Sequence, residues 1–230
     1  MTGGGPGAGG PGSGGPVGVT QQDVDRQADE LLAGAADGEP LDALNAAFVQ
    51  IAVRSNAMAL DVAGTREWMK RALDAGATRD QVHEIVTLVS GSGVHAFFEA
   101  SRTLLELTEP GERGPLSERQ TELWQKYIGD GSYWQTMNEE IPGFLDALNR
   151  LSPEAFEAFF RYCAVPWKKN LVPALVKEIA SAAMDASPNH RYLPGMRLHL
   201  RNALKLGAGR RALRDALDIA AAAPLPFGVL

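Results

Sequence analysis

Apolar residues recur every three or four positions along most of the chain from residue 21 onward. This spacing places them on one face of a helix, and the strict alternation of apolar and polar residues that is typical of strands is nearly absent. Thr78 and Gln81 have the spacing of a capping box, which predicts a helix that begins near residue 79. Ser152 followed by Pro153 predicts another helix start. The pattern predicts an all-α fold with about eight to ten helices and no substantial sheet.

The helical pattern occurs twice. When the chain is shifted by 131 residues against itself, residues 63–77 align with residues 194–208, and a glycine, an arginine, an alanine-leucine pair and a glycine-alanine pair coincide without a gap. Each copy leads into a further helix, at 79–92 in the first and at 210–223 in the second. Alanine-rich helices resemble one another by composition alone. The matched spacing over a helix, a glycine turn and a second helix nevertheless favours a tandem helical repeat.

These observations divide the chain into three parts. Residues 1–19 consist mostly of Gly, Pro, Ser and Ala, which cannot bury enough apolar surface to offset the entropy of ordering, so we predict a disordered tail. Residues 20–110 are predicted to form the first repeat, which is degenerate because its aligned stretch lacks the histidines of the second. Residues 111–230 are predicted to form the second repeat, which carries the candidate site.

Composition narrows the classes of function. The net charge of −6 argues against a nucleic-acid partner, since such proteins usually present a basic surface. No apolar run is long enough to cross a bilayer, and the N-terminus lacks the basic and apolar regions of a signal peptide, so we expect a cytoplasmic protein without a membrane partner. The one cysteine, Cys163, agrees with a reducing compartment and rules out a two-cysteine redox centre.

Groups that can transfer protons are concentrated in residues 187–207, which hold His190, Tyr192 and His199. A surface helix needs an apolar stripe and solvated charges, but it does not need several proton-transferring side chains so close together. Residues 116–167 are rich in aromatic side chains. We expect most of these rings in the core or at an interface, and a few of them around a pocket for a flat organic substrate.

Several segments resemble the carboxymuconolactone decarboxylase family, which includes the alkylhydroperoxidase D-like proteins. They are Leu-Val-Lys-Glu at 175–178, Asn-His-Arg-Tyr-Leu-Pro-Gly at 189–195 and the run from His199 to residue 208. A look-alike subgroup has Thr-His-x-Tyr-x-Pro-Gly-x-Arg-x-His here, and this chain matches it except for Asn189 in place of threonine. The resemblance covers most of residues 41–100 and 115–223. It implies an all-helical fold that assembles as a homo-oligomer, usually a trimer or hexamer.

The resemblance also implies one of two chemistries. The redox branch of the family uses a Cys-x-x-Cys pair whose positions correspond to Tyr192 and Gly195, so the thiols that attack a peroxide are missing here. The decarboxylase branch acts on a lactone acid by acid–base chemistry and needs neither a metal nor an organic cofactor. We therefore expect a cofactor-independent enzyme, not a thiol peroxidase, that acts on a small carboxylated metabolite of cyclic or aromatic origin.

Four residues are predicted to be catalytic. His199 matches the family histidine and would be the general acid and base, since an imidazole can move protons in either direction near neutral pH. Glu178 matches the family glutamate and would orient His199 or share its proton. His190 or Tyr192, in a turn restricted by prolines, would donate a hydrogen bond to the developing enolate or carboxylate. Each also has a purely structural explanation, as a packed or solvated side chain or as a charge that complements a helix dipole.

Two further residues are candidates for substrate binding. Arg197 could hold a substrate carboxylate by two hydrogen bonds, although Arg66 occupies the same position in the first copy, which favours a structural role. Asn202 lies one helical turn from His199 on the same face.

Three alternatives remain open at this point. His95 could be a core histidine or could reach the site of the second copy. His190 and His199 with Glu178 and Asp185 could bind iron or zinc, although their spacing is unlike that of a helical His-x3-His pair, so no metal site is predicted. The chain could also be a ligand-binding or assembly protein that has lost catalysis.

Overall fold

The computed structural model describes residues 18–229, and this range contains thirteen α-helices, a short 3₁₀ turn at Gly91–Gly93 and no strand. The all-α fold predicted from the sequence is confirmed. Residues 1–17, most of the predicted tail, lie outside the described residues. The helices are α1 Gln21–Leu32, α2 Ala43–Ser55, α3 Val62–Asp74, α4 Arg79–Ser90, α5 Val94–Thr108, α6 Glu118–Tyr127, α7 Ser132–Glu140, α8 Phe144–Leu151, α9 Pro153–Cys163, α10 Val165–Lys169, α11 Ala174–Ala186, α12 Leu193–Lys205 and α13 Arg210–Ala221. The number of helices exceeds the predicted eight to ten because the aromatic segment is divided into several short helices.

The bounds of α2, α3 and α4 lie 131 residues before those of α11, α12 and α13, at both ends of each helix. The connecting turns agree as well. Leu60 and Arg191, at equivalent positions, both have φ near 48°, and Gly76 and Gly207 have φ of 97° and 94°. A left-handed conformation is costly for residues other than glycine, so its recurrence at Leu60 and Arg191 supports the interpretation as a tandem repeat.

Both copies contribute to one hydrophobic core. Phe48 and Ile51 of α2 belong to the same buried cluster as Ile179 of α11, Leu200 of α12 and Leu217 of α13. Helix α11 is buried from Val176 to the end of the helix, which makes it the central element of this cluster. The predicted boundary between residues 110 and 111 falls in the connection between α5 and α6 and stays a prediction.

A second, largely aromatic cluster is formed by the segment between the copies. Phe98 on α5 packs against Phe144 and Phe159 with ring centroids 4.1 and 5.3 Å apart, and Phe156 and Phe160 extend the cluster. Leu198 of α12 also belongs to it. Since the neighbouring side chains of α12 belong to the first cluster, this helix lies between the two cores.

A buried ion pair connects the copies. Nζ of Lys177 on α11 lies 2.9 Å from Oε1 of Glu84 on α4, and the two side chains are 0% and 3% exposed. Glu84 also accepts hydrogen bonds from the backbone N–H groups of Leu171 and Val172, and Lys177 donates to the carbonyl of Pro166. The pair therefore fixes the segment that leads into α11.

Within residues 18–229, none of the helices combines the length and the apolar character that crossing a bilayer requires.

Candidate active site

The centre of the site is a contact between the two repeat helices of the second copy. Nδ1 of His199, on α12, lies 2.6 Å from Oε2 of Glu178, on α11. The side chains are 14% and 5% exposed. The structure thus brings together the imidazole and the carboxylate that the sequence analysis paired.

The surroundings of His199 favour its protonated form. Burial alone would lower the pKa of the imidazole, but the hydrogen bond to Glu178 and the negative charges of Glu178 and Asp185 raise its pKa above the ordinary 6.5. The ring is therefore protonated more readily than a free imidazole.

Asn202 lies behind this pair. Its Nδ2 is 3.4 Å from both carboxylate oxygens of Glu178, and the residue is buried. Asn202 is therefore a partner of Glu178 and restrains the carboxylate that faces His199. Asn202 is not among the described residues that line the cavity reported below, and its predicted role in substrate binding stays a prediction.

His190 and Tyr192 contact a histidine from a distant part of the chain. Nε2 of His190 lies 2.7 Å from Nδ1 of His95, on α5, and the ring of Tyr192 stacks on His95 at 4.2 Å between centroids. The hydroxyl of Tyr192 donates to Glu99, 2.9 Å away, and burial together with this bond raises the pKa of Tyr192. Neither His190 nor Tyr192 lines the cavity.

His95 is the residue that sequence reasoning left undecided, and the structure places it in the site. Burial lowers its pKa to about 4, against the opposing charge of Asp185, so the ring is neutral at physiological pH. The sequence signal was a histidine beside a family-like segment, but the separation of 95 positions between His95 and His190 allowed no prediction of their contact.

Asp185 lies among the three imidazoles. Its oxygens are 3.6 Å from Nδ1 of His95, 3.5 Å from Nε2 of His190 and 3.9 Å from Nε2 of His199. The side chain is 0% exposed, and neither oxygen has a hydrogen-bond donor within the described range. Gly195 makes this placement possible, because a Cβ at position 195 would collide with Oδ2 of Asp185.

A cavity of about 490 Å³ opens beside these groups, between α11, α12 and the aromatic segment. His95, His199 and Glu178 line it together with mostly apolar and aromatic side chains, and its lining contains no lysine or arginine. The lining also includes Phe98, Tyr133, Trp134, Met137, Phe159, Phe160, Tyr162, Cys163, Trp167, Ser181 and Met184. Burial raises the pKa of Cys163 to about 11, so its thiol is protonated and unreactive.

Comparison with known proteins identifies the fold. No family model matches the chain, and no curated protein matches it in sequence. Among solved structures, the chain is similar to the crystal structure of a protein provisionally named a gamma-carboxymuconolactone decarboxylase subunit, from Burkholderia xenovorans LB400. The two share 28% sequence identity with a TM-score of 0.69, over 88% of this chain and 90% of the other. The chain has the fold of the carboxymuconolactone decarboxylase family. The resemblance stated from the sequence is thereby confirmed.

Within this carboxymuconolactone decarboxylase fold, Arg197 has a structural environment. Nε of Arg197 lies 2.8 Å from Oε2 of Glu140, on α7, and Nη1 of Arg197 lies 2.8 Å from Oε1 of Gln27, on α1. Arg201 contacts the other oxygen of Glu140. The guanidinium of Arg197 joins three helices and does not line the cavity, so the structure favours the structural alternative over the binding of a substrate carboxylate.

We expect Arg197→Met to lower stability without removing activity. Glu140 is 5% exposed, and loss of one of its two cationic partners should lower the free energy of unfolding by about 1–3 kcal/mol. Urea unfolding measures this difference. Arg66→Met, at the equivalent and exposed position of the first copy, is the matched control and should change stability by less than about 0.5 kcal/mol. A variant with normal stability but a strongly raised KM would restore the substrate-binding role.

Proposed function

We propose that the chain is a carboxymuconolactone decarboxylase-like enzyme that performs acid–base chemistry on a small carboxylated metabolite of cyclic or aromatic origin. The observation that carries the proposal is the 2.6 Å contact between His199 and Glu178 at the wall of the cavity. A volume of about 490 Å³ is within the range of small-molecule sites, and an apolar wall with few polar groups is typical of them.

His199 is the proton donor and acceptor in this proposal. Because Nδ1 of His199 is engaged by Glu178, Nε2 is the nitrogen left to exchange a proton with a substrate. Glu178 sets the orientation of the ring and stabilises the imidazolium, and Asn202 restrains Glu178.

Loss of CO2 from a carboxylated substrate leaves an electron pair on carbon, which must be delocalised and then protonated. The imidazolium of His199 can deliver that proton, and a site shielded from water strengthens its interaction with the developing negative charge. No step of this scheme uses a thiol. The sequence analysis expected His190 or Tyr192 to donate a hydrogen bond to the substrate, but it is His95 that lines the cavity. His190 and Tyr192 contact His95, and in this proposal they hold its ring in position.

The aromatic lining supports the proposed substrate class. Phe98, Trp134, Phe159 and Trp167 line the cavity, and aromatic side chains favour contact with flat unsaturated molecules.

The test is a screen of lactone acids and unsaturated carboxylic acids with the purified protein. Release of CO2 and deuterium incorporation from D2O, followed by NMR, report decarboxylation and proton transfer to carbon. Glu178→Gln should reduce the rate on the order of 10²-fold, since the ring loses its anionic partner. Glu106→Gln, which changes an exposed glutamate on α5, is the matched control. A protein that retains a member of the panel but never alters it would replace this proposal by the ligand-binding alternative.

We also propose that the protein assembles as a homo-oligomer, a trimer or hexamer. Phe97, Leu104 and Leu107 on α5 are 38%, 49% and 77% exposed, and an apolar face of this kind is common at subunit interfaces. The cytoplasmic location expected from the sequence stays a prediction.

A further inference from the structure

Three potential ligand atoms converge at the inner end of the site. Nδ1 of His95, Nε2 of His190 and one oxygen of Asp185 lie within 4.8 Å of one another, and all three side chains are at least partly buried. They come from α5, from the turn before α12 and from α11, so tertiary packing of both halves of the chain assembles the cluster.

We propose that His95, Asp185 and His190 bind one divalent transition-metal ion. The pairwise distances are 2.7 Å between the two nitrogens, 3.6 Å from His95 to Asp185 and 3.5 Å from His190 to Asp185. Three points with these separations share a centre about 1.9 Å from each, so an ion slightly out of their plane has bonds of about 2.0–2.2 Å, the lengths found for zinc with nitrogen and oxygen ligands.

The buried carboxylate of Asp185 gives an independent reason for a cation. Both of its oxygens lack a hydrogen-bond donor within the described range, and the side chain is fully buried. A buried carboxylate without a partner is strongly unfavourable, so such groups are normally paired or bind a metal. His199 is 3.9 Å away, beyond hydrogen-bond distance, and its Nδ1 is already engaged by Glu178.

The ligand set indicates which ions fit. Two imidazoles and one carboxylate suit zinc, iron, cobalt or nickel, whereas calcium and magnesium prefer oxygen ligands alone. Three protein ligands also leave coordination positions for water or substrate, as in catalytic sites.

The position of the cluster beside the cavity indicates a role for the ion in substrate binding, and this role rests on the proposed function. His95 lines the cavity, yet the lining has no lysine or arginine that could bind a substrate carboxylate. Glu178 lines the cavity and Asp185 lies behind His95, so an anionic substrate would meet further negative charge. An ion bound at His95 would add a second positive charge, beside that of the His199 imidazolium, for a carboxylate or enolate oxygen. This departs from the cofactor-free chemistry expected from the family resemblance.

The test uses the full chain without a histidine tag, stripped with chelator and titrated with ZnCl2 and CoCl2. Calorimetry should give one ion per chain, and bound Co²⁺ should show visible absorption bands. Asp185→Asn and His95→Gln should each weaken Zn²⁺ binding at least about 100-fold, as expected for the loss of a direct ligand. His83→Gln, which changes an exposed histidine on α4, should bind like the wild type.

Asp185→Asn also separates a metal ligand from a structural residue. In chelator its unfolding temperature should equal or exceed that of the wild type, because the substitution removes a buried carboxylate that has no hydrogen-bond donor. Zn²⁺ should then raise the unfolding temperature of the wild type but not that of the variant. Absence of saturable Zn²⁺ and Co²⁺ binding would overturn the proposal, and so would binding that Asp185→Asn leaves unchanged. If turnover that depends on His199 persists in chelator, the role of the ion in the reaction is wrong and the proposed function stands.

Discussion

His199→Gln is expected to lower turnover by about 10²–10⁴-fold, the range in which a positioned general acid or base contributes. Glutamine fills much of the volume of the imidazole and can still hydrogen-bond Glu178, but it cannot hold and release a proton near neutral pH. The measurement is the kcat of CO2 release or of deuterium incorporation with the substrate found in the screen. Circular dichroism and urea unfolding establish that the variant is folded.

The matched control is His83→Gln, which makes the same substitution at an exposed position on α4 and should retain wild-type kcat. If His199→Gln turns over at the wild-type rate, the acid–base role is wrong. The 2.6 Å contact with Glu178 would then be a structural feature of the interface between α11 and α12.

Lys177→Met is expected to lower the free energy of unfolding by about 3–5 kcal/mol. This loss is larger than that expected for Arg197→Met or for Lys126→Met. The substitution removes the ammonium and leaves the carboxylate of Glu84, 3% exposed, without its charged partner. The backbone N–H groups of Leu171 and Val172 remain, but they do not neutralise the charge. Urea or thermal unfolding measures the loss.

The pair also predicts how stability depends on pH. Burial alone would raise the pKa of Glu84, but the hydrogen bonds from Lys177, Val172 and Leu171 lower it below the ordinary 4.5. The folded state therefore binds this proton less readily than the unfolded state. The stabilisation is present above pH 4.5 and is lost as the pH falls through the lower pKa of the folded state.

Lys126→Met is the matched control for Lys177→Met. Lys126 forms an ion pair of nearly the same length, 3.0 Å, with Glu157, but its side chain is 54% exposed. Its loss should lower the free energy of unfolding far less than the loss of Lys177, because water solvates and screens the exposed pair. Equal losses for the two variants would show that burial does not strengthen the pair.

Much of the fold could be predicted from local signals. The capping box of Thr78 and Gln81 is formed, and Ser152 caps α9 with Pro153 in the first turn. The contact of His199 with Glu178 also agrees with the pairing expected from the family resemblance. Periodicity and capping residues act over only a few positions along the chain, so they can be recognised from the sequence alone.

The rest of the site was beyond local reasoning. Arg197 was a candidate for substrate binding until its partners, Glu140 and Gln27, were placed beside it. Asp185 was one of several carboxylates near the candidate site, and nothing in its neighbourhood along the chain marked it as fully buried. His95 precedes its nearest partner by 95 residues. Contacts over such separations depend on how the helices pack.

The sequence by itself determined the all-helical class of the fold, the 131-residue spacing of two similar segments and the residue types able to move protons. These properties follow from side-chain chemistry and from periodicity within a turn or two of helix. Only the tertiary structure decided which of the polar groups meet. Packing of α5 against the turn that precedes α12 brought His95 to His190 and Asp185, and burial of that cluster away from water left Asp185 without a donor.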